Sequence, residues 1–507
     1  MSETEPVDPT RDRPPARPPR AAGEWPHWIV LALACVGQFM VVLDVSVVNV
    51  ALPSIHRDLN FSADGLQWVV NAYTLSFAGF LLLGGRAADL FGRRRVFLVG
   101  LATFTVASLA GGSAQDQAML VAARALQGLG GAILAPATLS IITTTFTEPR
   151  ERARAMGMWS AVAGAGGAFG ALLGGVLTDM LSWRWILFIN VPIGIAALVV
   201  GRLALREGRR AEKTGLDLPG AVLVTAGLTA LVYGVVRTDT LSWTAPQTVG
   251  VLALAAVLLA AFVLREGRYA AAPLMPLRMF ASRTISGANL VMLAMSGAMF
   301  PMWYLLTLYL QEVRGYSALR TGFVFSPVAF AIVVGAQTAS RVVNRVGARR
   351  LLLAGTATMT LGLLMLSRIG ATSNFWLDVF PGAVLSSLGL GLSVTPVTLA
   401  ATTGVARHEA GLASGLVNTA RQVGGSLGLA AIATAATTRT MDVTRAGGAA
   451  RSAGSALSAG FSFGFALATG LAAAGIVATL VLPAVASRRA QRPDEPSAEL
   501  PLAVEAG

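Results

Sequence analysis

The chain has 507 residues, of which 54% are hydrophobic and only 13% are charged, with a mean hydropathy of +0.65. Soluble domains carry about 25% charged residues, so this composition excludes an ordinary soluble protein and points to a lipid bilayer. A net charge of +13 would suit a nucleic-acid partner, unless the position of the charges assigns them elsewhere.

Residues 1–27 open with MSETEPVDPTRDRPPARPPRAAGEWP, a polar, proline-rich stretch read as a disordered tail. It lacks the short apolar core of a signal peptide. Apolar windows long enough to span a bilayer follow at 28–51, 66–86, 96–112, 119–145, 153–177 and 185–205. Two more lie at 218–236 and 248–264, and six at 285–310, 321–340, 351–367, 376–404, 411–437 and 462–484. The expectation is therefore an all-α integral membrane protein of fourteen transmembrane helices. Two six-helix halves, 28–205 and 265–485, flank a linker with two inserted helices, 206–264. Residues 486–507 form a second disordered tail.

Charge orients the windows. With the amino terminus inside, twenty-seven basic residues fall in cytoplasmic segments, nine in outer segments and three within helices. That excess satisfies the positive-inside rule, places both termini in the cytoplasm, and accounts for the net charge without nucleic acid. The one cysteine, Cys35, permits no intramolecular disulfide. His27, His56 and His408 are too scattered for a metal site, and no cofactor is expected.

Charged residues inside the windows are expensive and usually functional. Asp44 lies about 10 Å from the outer end of the first window and Arg124 about 8 Å into the fourth, at 1.5 Å per residue. Opposite charges at matching depth can share a cavity. A carboxylate that alternates between apolar burial and contact with an arginine changes its proton affinity in opposite directions, which is what proton coupling requires. A static pair that only fixes packing is the competing reading. Arg421 lies near the middle of the thirteenth window with no acid at the centre of the last six. It either faces the cavity, with Asn418 one turn away, or is a structural hydrogen-bonding arginine.

One deep acid against two arginines favours neutral, weakly anionic or monocationic substrates over dications. Trp303, Tyr304 and Tyr309 in the ninth window, with Phe323 and Phe325 in the tenth, could line an apolar substrate pocket or simply pack.

Residues 85–95, GRAADLFGRRR, reappear 255 positions later as SRVVNRVGARR at 340–350. Repeated halves are how many secondary transporters are built. Here the sequence resembles the major facilitator superfamily, in its fourteen-helix branch of drug:proton antiporters. The stretches that carry the resemblance are LDVSVVNVALP at 43–53, GRAADLFGRRR at 85–95, LVAARALQGLGGA at 120–132 and WRWILFINVPIG at 183–194. PLMPLRMF at 273–280 and GLASGLVNTARQVGGSLG at 411–428 are similar to further stretches of that branch, and the likeness runs from about residue 28 to 485.

The resemblance implies a monomeric, proton-coupled exporter of drugs or antibiotics in the cytoplasmic membrane, or of a single endogenous metabolite. It implies Asp44 as the proton site with Arg124 as partner, and Asp89 with Arg93 in an inner gate. It also implies that the glycine face of the fifth window, which includes Gly170 and Gly174, meets the tenth. The branch's proline in that fifth helix is replaced by Ala171.

Overall fold

The computed structural model describes residues 25–205, 217–239, 241, 243–270, 273–275, 277–402, 410–447 and 453–482. Both expected tails lie largely outside the described residues.

Among the described residues the chain is helical, without strands. Its α-helices are α1 (His27–Leu59), α2 (Ala63–Leu66), α3 (Trp68–Phe91), α4 (Arg93–Gly112), α5 (Gln117–Thr145), α6 (Pro149–Met180), α7 (Trp185–Phe188) and α8 (Asn190–Ala204). They continue with α9 (Leu218–Val236), α10 (Pro246–Leu264), α11 (Arg283–Leu308), α12 (Ala318–Val346), α13 (Ala348–Leu366), α14 (Phe380–Thr402), α15 (Ala410–Gly447) and α16 (Ala453–Val481). Eleven are long and apolar enough to cross a membrane. α2 is a single turn of four residues, and α7, another, joins α8 in the one span Trp185–Ala204.

The helix starts follow from local chemistry. The Ser62, Asp116, Asp217, Ser282 and Ser317 side chains each accept a backbone N–H of the first turn, satisfying donors that have no partner within the helix.

Packing divides the helices into two equivalent sets. In the first, α3 and α4 pack on α5, α1 on α6, and α4 on α8. In the second, α12 and α13 pack on α14, α11 on α15, and α13 on α16. Two seams join the sets, α6 on α12 and α3 on α15, and the α9–α10 pair covers the second seam from α3 to α15.

The sequence repeat is a structural repeat. Gly92 breaks α3 from α4 at φ 95° and ψ 134°, and Gly347 breaks α12 from α13 at φ 89° and ψ 146°. Side chains with a Cβ rarely adopt that backbone, so both copies need glycine there. The arginine two residues on also repeats its contact. Arg94 Nη2 donates to the Arg202 carbonyl near the end of α8, at 2.8 Å, and Arg349 Nη2 donates to the Leu480 carbonyl near the end of α16. Each satisfies a helix-terminal carbonyl with a cation where the helix dipole favours one.

Candidate functional site

Asp44, midway along α1, is wholly buried, and so are Arg124 (2% exposed) and Gln127 (1%) on α5. Arg124 Nη1 donates to Asp44 Oδ2. Gln127 lies three residues on, hence on the same helix face. Its Nε2 donates to Asp44 Oδ1 at 2.7 Å and to Ser108 Oγ of α4 at 2.8 Å, while its Oε1 accepts from Arg124 Nη1 at 2.7 Å. Arg124 Nε donates to the Val69 carbonyl of α3 at 2.9 Å. Its guanidinium also lies 4.4 Å from the centre of the Tyr73 ring, in cation–π range. Tyr73 donates in turn to the Val41 carbonyl of α1.

Four helices thus converge on one carboxylate, and both of its oxygens are occupied. An ion pair buried this way is stable only while both partners are present; removing one typically costs about 3–5 kcal/mol. Such a carboxylate binds a proton by giving up its bond to the arginine, so protonation and the α1–α5 contact are chemically linked. The expected pairing of Asp44 with Arg124 is present. Gln127, Ser108 and Tyr73 were not anticipated; the three-residue spacing from Arg124 could have pointed to Gln127, but nothing in sequence marks the other two.

The glycine face of α6 needs correction. Gly170 and Gly174 abut α1, at Leu43, Ser46 and Val47, inside their own half. The surface that meets α12 is one position over. Gly175 lies against Ala318 and Leu319, and Gly322 of α12 lies against Ala171 and Leu172. Positions 170/174 and 171/175 form two stripes about 100° apart on a helix packed from both sides. At the end of this seam, Asp179 accepts from the Ala318 and Leu319 backbone N–H groups at 3.2 and 2.8 Å, capping α12 from the other half. Gln311 Nε2 donates to the Val50 carbonyl at 2.8 Å, and Thr74 Oγ1 and Ser426 Oγ are 2.6 Å apart, so α1 and α3 are also tied to the second half.

The aromatic pocket is not formed as expected. Tyr304 (3%) and Tyr309 (0%) are sealed in the core of the second half, and Tyr309 donates to the Gly370 carbonyl at 2.8 Å. Trp303 stacks on Phe300, while Phe323 is 59% exposed and Phe325 is buried. The spacing of these residues spreads them around their helices rather than onto one wall. Arg421 behaves otherwise. It is exposed, and its Nε donates to Asn418 Oδ1 at 3.1 Å. Arg93 begins α4; the side chain of Asp89 lies outside the described residues, as does any pair between them. Among the described residues no cluster of His, Cys, Asp or Glu could hold a metal.

The family model described as the Major Facilitator Superfamily matches residues 34–429. The chain belongs to the Major Facilitator Superfamily. It is a multi-pass membrane transporter and not an enzyme. Over 413 residues it is 47% identical to the cephamycin export protein CmcT of Amycolatopsis lactamdurans, covering 81% of this chain and 85% of that protein. It is 43% identical over 417 residues to the puromycin resistance protein pur8 of Streptomyces alboniger, covering 82% of each. It is 37% identical over 404 residues to the multidrug resistance protein Stp of Mycobacterium tuberculosis, covering 80% of this chain and 75% of that one.

Among solved structures, the POT family transporter PepTSo superposes with a TM-score of 0.66 at 16% identity, covering 90% of this chain and 98% of that one. An inward-facing, occupied bacterial homologue of the human lysosomal transporter Spinster gives 0.65 at 15% identity, covering 90% and 96%. These likenesses show the fold.

Proposed function

We propose that this transporter exports amphipathic drugs or antibiotics across the cytoplasmic membrane in exchange for protons. The observation that carries the reading is the buried Asp44–Arg124–Gln127 cluster: a titratable group, fully desolvated, whose partner it must release to take a proton. Support for the cargo comes from relatives that are named for cephamycin export, puromycin resistance and multidrug resistance.

In this reading α3, α6 and α15 join the eleven apolar helices to make fourteen spans, and both termini are cytoplasmic. The end tied by Asp179, Gln311 and Thr74 is then the outer face, closed in this conformation. Residues 28–205 and 265–485 are the rocking halves, with 206–264 between them. Protonation of Asp44 from outside loosens α1 from α5 and resets the bundle. Asp89 and Arg93 serve the inner gate, and Gly170 and Gly174 keep α6 close to α1 as it moves. Arg421 and Asn418 contact the cargo. The protein works as a monomer in the bilayer, without a cofactor.

A second reading, a dedicated exporter of one endogenous metabolite, is favoured by relatives whose names carry a single antibiotic. A drug-susceptibility panel in a pump-deleted host, read with proton movement in everted vesicles, tests both. Resistance to several unrelated amphipaths with substrate-dependent proton release is expected. Resistance to one compound alone supports the second reading, and no proton movement with any exported compound contradicts the coupling.

A further inference from the structure

Among the described residues, Asp44 and Arg124 neutralise one another, and Arg421 stands about a third of the way along α15 without a carboxylate partner. Its surroundings are unusual for an exposed residue. α15 is packed by α3, α9, α11, α14 and α16, and the neighbouring Gln422 (5%) and Ser426 (0%) are buried. α3 of the other half meets α15 close by, with Thr74 Oγ1 2.6 Å from Ser426 Oγ. Arg421 is therefore exposed to space inside the bundle, between the halves, rather than to lipid.

We propose that Arg421, steadied by Asn418, anchors an anionic group of the transported molecule, and that the group is a carboxylate. Asn418 Oδ1 takes the guanidinium Nε–H, which leaves the Nη edge to form two parallel bonds to a planar carboxylate. The Asn418 amide N–H₂ remains as a further donor. A guanidinium in a low-dielectric interior gains from a counter-ion, and a cationic cargo would be repelled from this wall. This assignment rests on the export reading and names the class of cargo within it.

The test uses the full-length protein and two amphipathic xanthene dyes that differ only in a free carboxylate or its ethyl ester. Binding is measured in detergent, and efflux in proteoliposomes. The wild type should bind the acid at least tenfold more tightly than the ester. Arg421→Gln should weaken the acid at least tenfold while leaving the ester within about twofold, and Arg421→Lys, which keeps the charge, should recover part of the difference. Equal binding of acid and ester by the wild type, binding of neither, or equal losses for both in Arg421→Gln would overturn the anchor. Failure of the export reading looks different: the wild type binds a dye and moves it in neither form.

Discussion

The two halves share a scaffold and differ in their interiors. The offset that relates the glycine breaks and the helix-capping arginines carries Asp44, Ser108 and Tyr73 onto Met299, Leu363 and Val328, and in α14, where Gly389 meets Met359 and Gly355 as Gly130 meets Phe104 and Gly100, Arg124 corresponds to Ala383. All four counterparts are buried at 1% exposure or less, in one apolar cluster. Gln127 corresponds to Ser386, which is buried and donates only to the Gly382 carbonyl of its own helix, at 2.6 Å. The second half thus closes the same helix junction without a charge. The fold does not require a charged centre, and replacing a buried ion pair by well-packed apolar groups is often neutral or stabilising. The cluster in the first half is therefore kept for what it does.

The sharpest way to break this comparison is to remove one charge. Arg124→Ala should destabilise the purified protein by about 3–5 kcal/mol, because Asp44 is left buried and unpaired. Ala383→Gly, at its counterpart, should lose only about 0.5–1 kcal/mol, the ordinary cost of glycine within a helix. Putting the second half's residues into the first, Asp44→Met with Arg124→Ala, should restore the thermal midpoint while leaving transport dead. If the double variant is no more stable than Arg124→Ala, the pair is a fold determinant and the comparison fails.

Gln127→Leu comes next. It removes the amide that joins Asp44 to Ser108 and should cost about 1–3 kcal/mol, the penalty for leaving buried acceptors unmet. It should also weaken pH-driven transport more than substrate exchange at equal pH. A loss of stability with unchanged driving would make Gln127 packing only.

The smallest effect tests the shared scaffold. Arg94→Ala and Arg349→Ala each remove a helix-terminal cap and should each lower stability by about 0.5–1 kcal/mol. Thermal midpoints measured side by side should fall together; a large fall in one alone would show that the repeat has diverged in load as well as in chemistry.

Much of this was legible in the sequence. Asp44 and Arg124 stood out because charge inside an apolar window has few explanations, and their depths matched because helix rise is fixed. The repeat was legible because a break between helices needs glycine in both copies. The partners Ser108 and Tyr73 were not, since an uncharged side chain in a membrane helix is equally at home against lipid, core or cavity. The contacts of α6 failed for a related reason. Two small-residue stripes one position apart serve two different neighbours, and sequence cannot say which stripe meets which helix. The aromatics of α11 misled because bulk suits a core as well as a pocket.

Asp44→Asn tests the central claim most directly, because it keeps the shape and hydrogen bonding of the side chain while removing its titration. In proteoliposomes loaded with a transported dye, two quantities are measured: uphill accumulation under an imposed pH gradient, and exchange of labelled for unlabelled dye without one. Uphill accumulation should vanish while exchange persists. Accumulation against the gradient by Asp44→Asn at a rate near that of the wild type would contradict a proton-coupling role for Asp44.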